Sequence, residues 1–156
     1  MGTDMEAGKS RRKKIKFRYI IIIILGVVAL GLLAAFLADA PVRNELKALS
    51  IGKADFANLQ DGVFVGEYTG TKGHSRDAAV RITITDGAVT SIQILKGALD
   101  SSGNPAEMTN GATMADLLKK AVDTKSLQVD AISGATLTSK AHLKALENAL
   151  KQANPE

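Results

Sequence analysis

The chain contains no cysteine, and that one absence removes several chemistries together. A disulfide framework, a thiolate nucleophile, a thiolate-ligated iron–sulfur cluster, a thioether-attached haem and a lipid anchor on cysteine are all excluded. Histidine is nearly absent too, and His74 and His142 alone do not make a multi-histidine metal site. Aromatic residues are thin at 4%. Any redox work has to be carried by an organic cofactor, and any membrane attachment by the polypeptide itself.

Charge of one sign is also missing where a nucleic-acid-binding face would need it. The net +4 comes from 20 Lys+Arg against 16 Asp+Glu, and the excess is confined to the N-terminus. Residues 1–18 hold seven basic side chains (Lys9, Arg11, Arg12, Lys13, Lys14, Lys16, Arg18) against Asp4 and Glu6. From Asp39 onward there are 13 basic and 14 acidic side chains, so no nucleic-acid partner is expected. Between the two lies Tyr19–Ala38, 20 residues without a charge. At ~1.5 Å per residue such a helix spans ~30 Å, the thickness of a bilayer's hydrocarbon core. A cleaved signal peptide is the alternative, and Ala38-Asp39-Ala40 does resemble a small-x-small cleavage site. The run is longer than the usual apolar region of such peptides, and Pro41 after the cut would hinder a peptidase. The expectation is one uncleaved single-pass anchor. By the positive-inside rule the basic tail is cytoplasmic and attracted to anionic lipid headgroups, and everything beyond residue 40 is extracytoplasmic.

The 156 residues suffice for one domain plus this appendage. Residues 39–60, with Val42, Leu46 and Leu49 at helical spacing, read as a short stalk. From Asp61 the pattern becomes strand-like: Val63–Tyr68, then Ala78–Thr85 with Val80, Ile82 and Ile84 on one face, then Ala88–Leu95 with Ile92 and Ile94. Pairing Val80 with Ile94 and Ile82 with Ile92 gathers the apolar side chains and predicts a hairpin with Asp86, Gly87 and Ala88 as a three-residue connection. The stretch 96–111, rich in Gly, Ser, Asn and Pro, reads as a loop over one sheet end. Met114, Leu117, Leu118 and Val122 form one helical stripe, and Leu143, Leu146 and Leu150 with Ala145 and Ala149 another, starting from Thr138 or Ser139 as N-cap. The fold class is α+β, a small antiparallel sheet with packed helices behind one transmembrane helix.

One segment carries chemistry: Asp130-Ala131-Ile132-Ser133-Gly134-Ala135-Thr136-Leu137-Thr138-Ser139. Hydroxyl residues and a glycine sit in the turn that leads into a helix. Such a place offers unpaired backbone N–H groups and a positive dipole end, both suited to phosphate, and Gly134 and Ala135 allow close approach. An ordinary hydroxyl-rich helix cap is the plain alternative from composition alone. Neither histidine suggests more: His142, on the helix, reads as a surface residue and His74 as solvated. Gly111-Ala112-Thr113 echoes Gly134-Ala135-Thr136, but its flanks differ.

The motif Asp-x-x-Ser-Gly-Ala-Thr-x-Thr-Ser is similar to the flavinylation motif of the small FMN-binding domain. That domain is found in the C subunit of the sodium-pumping NADH:quinone oxidoreductase, in the G subunit of Rnf complexes and in anchored extracytoplasmic flavoproteins. The resemblance runs from Asp61-Gly62-Val63-Phe64-Val65-Gly66, through Asp86-Gly87-Ala88-Val89-Thr90-Ser91-Ile92, to about Ala149, and implies an FMN-binding domain over 61–152. It also implies that a separate, FAD-dependent flavin transferase joins FMN through its phosphate to Thr136. Ser133, Gly134, Ala135, Leu137, Thr138 and Ser139 then line the cofactor site, Asp130 leads the motif, and ring contacts come from the 96–113 loop. Stretch 96–100 lacks the His/Glu-Thr pattern of the large-complex subunits, and the chain is shorter than those subunits. The implied function is therefore a stand-alone, membrane-anchored carrier with covalent FMN. It would take electrons from a membrane oxidoreductase or quinol and pass them to a downstream redox protein or soluble acceptor. Two alternatives stay open: the FMN domain of a reductase whose substrate site lies on a partner, and a non-redox binding module.

Overall fold

A computed structural model of the chain describes residues 6–154, with side chains from Phe17 onward. Most of the basic tail (residues 1–5 and the side chains of 6–16) and residues 155–156 lie outside the described residues. Two compact units are separate in it, Met1–Ala40 and Pro41–Glu156.

The first unit is a single helix, α1 (Glu6–Ala38). The β-branched run Ile20–Ile24 is a mediocre helix former in water. In hydrocarbon every backbone group must be satisfied within the segment, and a helix achieves this. Its large side chains are exposed from Phe17 to Leu37, Leu30 at 67% and Leu32 at 68%. With a mean hydropathy of 3.2 over its best 18-residue window, α1 is long and apolar enough to cross a membrane.

The second unit comprises α2 (Ala40–Ala48), β1 (Gly62–Tyr68), β2 (Ala78–Thr85), β3 (Ala88–Lys96), α3 (Met114–Asp123) and α4 (Thr136–Ala153). The strands form one antiparallel sheet in the order β1-β2-β3, so the α+β architecture expected from the sequence is found. Leu143, Leu146 and Leu150 of α4 are buried with Val80, Ile82 and Ile84 of β2 and with Met114, Leu117 and Leu118 of α3. Gly66 lets α4 lie directly on β1, because a Cβ there would collide with the Ala145 carbonyl oxygen and the Ala149 nitrogen.

The hairpin register Val80↔Ile94 and Ile82↔Ile92 holds, but its connection has two residues, not three. Thr85 pairs with Ala88, and the odd residue is taken up between Thr83↔Ser91 and Ile84↔Val89, where Thr90 Oγ1 donates to the Thr83 carbonyl at 3.2 Å. Asp86 (φ 54°) and Gly87 (φ 71°) are both left-handed, the turn geometry that matches the twist of paired strands. The bulge is what permits it.

The segment expected as a stalk packs into the domain. Leu46 is fully buried, and Val42 nearly so. The Glu45 carboxylate accepts from Thr71 N (2.8 Å), Lys72 N (2.8 Å) and Tyr68 OH (3.2 Å). Behind α2, Lys140 Nζ donates to the carbonyls of Lys47 (2.8 Å) and Leu49 (3.3 Å), and Lys144 Nζ to that of Ser50 (3.3 Å). Lysines of α4 thus serve carbonyls at and beyond the end of α2 that no helical N–H can reach.

Candidate functional site

Antiparallel pairing sets the end of β1, the start of β2 and the end of β3 side by side: Tyr68 pairs with Ala78, and Ala79 with Lys96. Helix α4 runs away from that end. His142 lies against Gly97, whereas Gln152 Nε2 donates to the Val65 carbonyl at 2.9 Å and Ala153 accepts from Gln60 N at 2.8 Å. The start of α4, loop 69–77 and loop 97–113 therefore gather at one end of the sheet.

The helix starts three to four residues earlier than expected, and neither Thr138 nor Ser139 caps it. Ala135 is the N-cap, with no side-chain hydrogen bond. Ser139 is buried and staples the turn from inside: its Oγ donates to the Ala135 carbonyl (3.0 Å) and accepts from Ile132 N (3.1 Å). Gly134 takes φ +74°, a left-handed conformation that glycine adopts without strain. Thr136, at the first helical position, is exposed, and its hydroxyl has no hydrogen-bond partner among the described residues. The N–H groups of Thr136, Leu137 and Thr138 have no intrahelical acceptor by position and no capping side chain.

The other expected site residues divide. Asp130, Ser133 and Gly134 are exposed, Leu137 packs on the core and Thr138 is half-buried. Loop 97–113 is more ordered than its composition suggested. It carries the bridges Leu99↔Pro105 and Glu107↔Thr113 and a turn with left-handed Asn110 (φ 57°) and Gly111 (φ 77°). That turn reaches the motif, since a Cβ on Gly134 would lie 3.2 Å from Thr109 Oγ1. The Asn-Gly dipeptide was the missed signal for it.

The echo at Thr113 is chemically different. Thr113 caps α3, its hydroxyl donating to Asp116 Oδ2 at 2.7 Å and accepting from Asp116 N at 3.2 Å. Its hydrogen bonds are used where those of Thr136 are free.

Of the two histidines, His74 is solvated as expected and His142 is not where expected. His74 is 73% exposed, and its Nδ1 lies 3.3 Å from Asp77 Oδ2. The same carboxylate oxygen holds Lys96 Nζ at 2.8 Å, and Oδ1 accepts from Gly70 N at 3.0 Å. Hydrogen bonding from Lys96, above all, keeps the Asp77 carboxyl below its ordinary range. His142 is not a surface residue: it is 1% exposed. The signal was its place on the stripe with Ser139, Leu143, Leu146 and Leu150, which faces the sheet.

An exposed threonine hydroxyl at an uncapped helix start, behind a left-handed glycine, fits a phosphate held by backbone N–H groups. No cluster of His, Asp or Glu among the described residues can hold a metal ion. A groove of about 470 Å³ between β3 and α3, lined by Thr90, Ser91, Asp116 and Lys119 among others, contains no motif residue. The model of the FMN-binding domain family matches residues 73–151, half of the chain, from the loop before β2 to the last turns of α4. The chain belongs to the FMN-binding domain family. No curated protein matches it.

Proposed function

We propose that the protein is a membrane-anchored electron carrier whose FMN is bound covalently, as a phosphoester on Thr136. The observation that carries this reading is the free Thr136 hydroxyl at the uncapped start of α4, within the matched family domain. In the attachment step Thr136 Oγ forms a bond to the phosphorus of the FMN half of FAD. The pyrophosphate bond breaks, AMP leaves, and the hydroxyl proton passes to a base. A threonine hydroxyl needs such a base and none hydrogen-bonds to it, so a separate transferase supplies it.

Once attached, the phosphodiester is held by the N–H groups of Thr136, Leu137 and Thr138, while Ser133, Gly134 and Ala135 keep the turn open around it. Ser139 holds the turn's shape from within, and Asp130 faces the transferase. Loop 97–113, touching the motif at Thr109, supplies the ring contacts. The flavin provides one- and two-electron redox chemistry, and the protein positions and tunes it. Donor and acceptor are a membrane oxidoreductase or quinol and a downstream redox protein or soluble acceptor. The basic tail orients α1 with its N-terminus in the cytoplasm, so the domain works outside, where a dissociating cofactor would be lost.

The test is co-expression of the full chain with a flavin transferase, read by intact mass and by in-gel flavin fluorescence after denaturation. One added FMN residue is expected in the wild type and in Thr113→Ala, and none in Thr136→Ala. An unmodified wild type beside a transferase shown to be active, or a loaded Thr136→Ala, overturns the assignment.

A further inference from the structure

His142 is the unexplained group in the domain. Its Nδ1 lies 2.9 Å from the Thr138 carbonyl oxygen; a carbonyl only accepts, so Nδ1 carries the hydrogen and Nε2 is a bare lone pair. That Nε2 is buried and has no hydrogen-bond partner, and a buried polar atom in this state calls for a cause. Left-handed Gly97 (φ +78°) closes over the ring: a Cβ there would meet Cε1 at 3.1 Å, Nε2 at 3.3 Å and the Asp77 carbonyl oxygen at 2.6 Å. The backbone of Thr138, Gly97 and Lys96 around the ring favours the protonated form, and burial outweighs it. Nε2 is thus a buried lone pair enclosed by the backbone at Gly97, with no donor to satisfy it.

The ring is also placed to sense charge at the motif. His142 follows Thr136 by six residues, ~9 Å along the helix, and hydrogen-bonds to the carbonyl of Thr138 in the first turn. Without a bound anion, the positive end of α4 adds to burial in disfavouring an imidazolium. The charged groups at this end of the elements packed around the ring are already engaged. Asp77 holds both Lys96 and His74. Lys140 and Lys144 of α4 serve the carbonyls of Lys47, Leu49 and Ser50, with Lys144 also on Glu147. A new negative charge on a flavin carried at Thr136 has, at this end of the sheet, the buried His142 imidazole as a neutral group that can take up a proton.

We infer that His142 is a redox-linked proton site: Nε2 binds a proton from water when the flavin carried at Thr136 is reduced. This rests on the reading of Thr136 as the attachment point. Two electrons from the donor and one proton leave the reduced ring with one negative charge. A second proton forms an N–H bond at Nε2, donating toward the backbone at residues 96–97, and the site gains no net charge.

Having only two histidines makes the test direct. The full chain, co-expressed with transferase, labelled with 15N-histidine and held in detergent micelles, is observed by long-range 15N–1H NMR when oxidised and after dithionite. The expected result is that His142 Nε2 changes from a lone-pair to an N–H signal on reduction. Midpoint potentials give a second readout: wild type falls more steeply with pH than His142→Gln near neutrality. One extra proton per two electrons is a tenfold change per pH unit, about 30 mV. A loaded chain whose His142 Nε2 stays bare in both redox states overturns this inference and leaves the Thr136 assignment standing. A chain that takes up no flavin overturns both.

Discussion

Because burial holds the His142 imidazole below its ordinary pKa, the unfolded chain binds a proton that the flavin-free folded domain refuses. Stability therefore rises with pH between the folded value and the unfolded value of ~6.5, and is lost as pH falls through that window. Urea unfolding of the unmodified chain, followed by circular dichroism, should show a midpoint that drops between about pH 7.5 and 5.5, and His142→Gln should remove that component. The Asp77 and Glu45 carboxyls, both held low by hydrogen bonds, act in a separate window. What they contribute is complete above the unfolded value of ~4 and disappears only below it. A midpoint flat from pH 7.5 to 5.5 would contradict a neutral buried His142. Gly66 makes a second prediction of the same kind. Gly66→Ala drives a methyl group into the backbone of α4 at Ala145 and Ala149, where no side chain can rotate away. The loss should be about 3 kcal/mol or more, read from the same unfolding curves.

Among the elements, α2 shows best how far the chain could be read. Val42, Leu46 and Leu49 announce a helix with one apolar stripe, but nothing in three residues says what covers it. The cover is tertiary: Glu45 in the amide cradle of loop 69–77, and lysines of α4 on the carbonyls at residues 47–50. Leu46→Ala should cost ~2–5 kcal/mol, since the side chain is fully buried. Little change on unfolding would mean that α2 is only a tether. The hairpin was legible because alternation of period two fixes which residues face inward, and so fixes Val80 opposite Ile94. Its turn was not, because a bulge at Thr90 shifts the count by one without changing the inward set. Similarly, the leucine stripe located α4 but not its first residue: hydroxyl-rich sequences offer several caps, and Ser139 bonds backward inside the helix instead of capping it. His142 was misread because histidine fits a surface and an interior about equally, and only its phase on the stripe decides between them.

At the scale of the whole molecule the proposed carrier makes a topological prediction, that with α1 across a membrane the domain lies outside the cytoplasm. The charge count argues for outside: seven basic side chains precede the apolar run, and positive flanks stay cytoplasmic. The absence of cysteine makes the chain its own background for labelling. Ser101→Cys, in an exposed loop, should react with a membrane-impermeant maleimide on intact cells, and Thr3→Cys only after lysis. The reverse pattern would put the domain in the cytoplasm and remove much of the reason for a covalent cofactor. FMN is replenished there, and a dissociating carrier can be reloaded. Outside, a lost flavin is not recovered, and the phosphodiester proposed at the start of α4 would keep it on the protein. Retention thus links the proposed attachment to the proposed topology, and the two cysteine variants test the topology without disturbing Thr136.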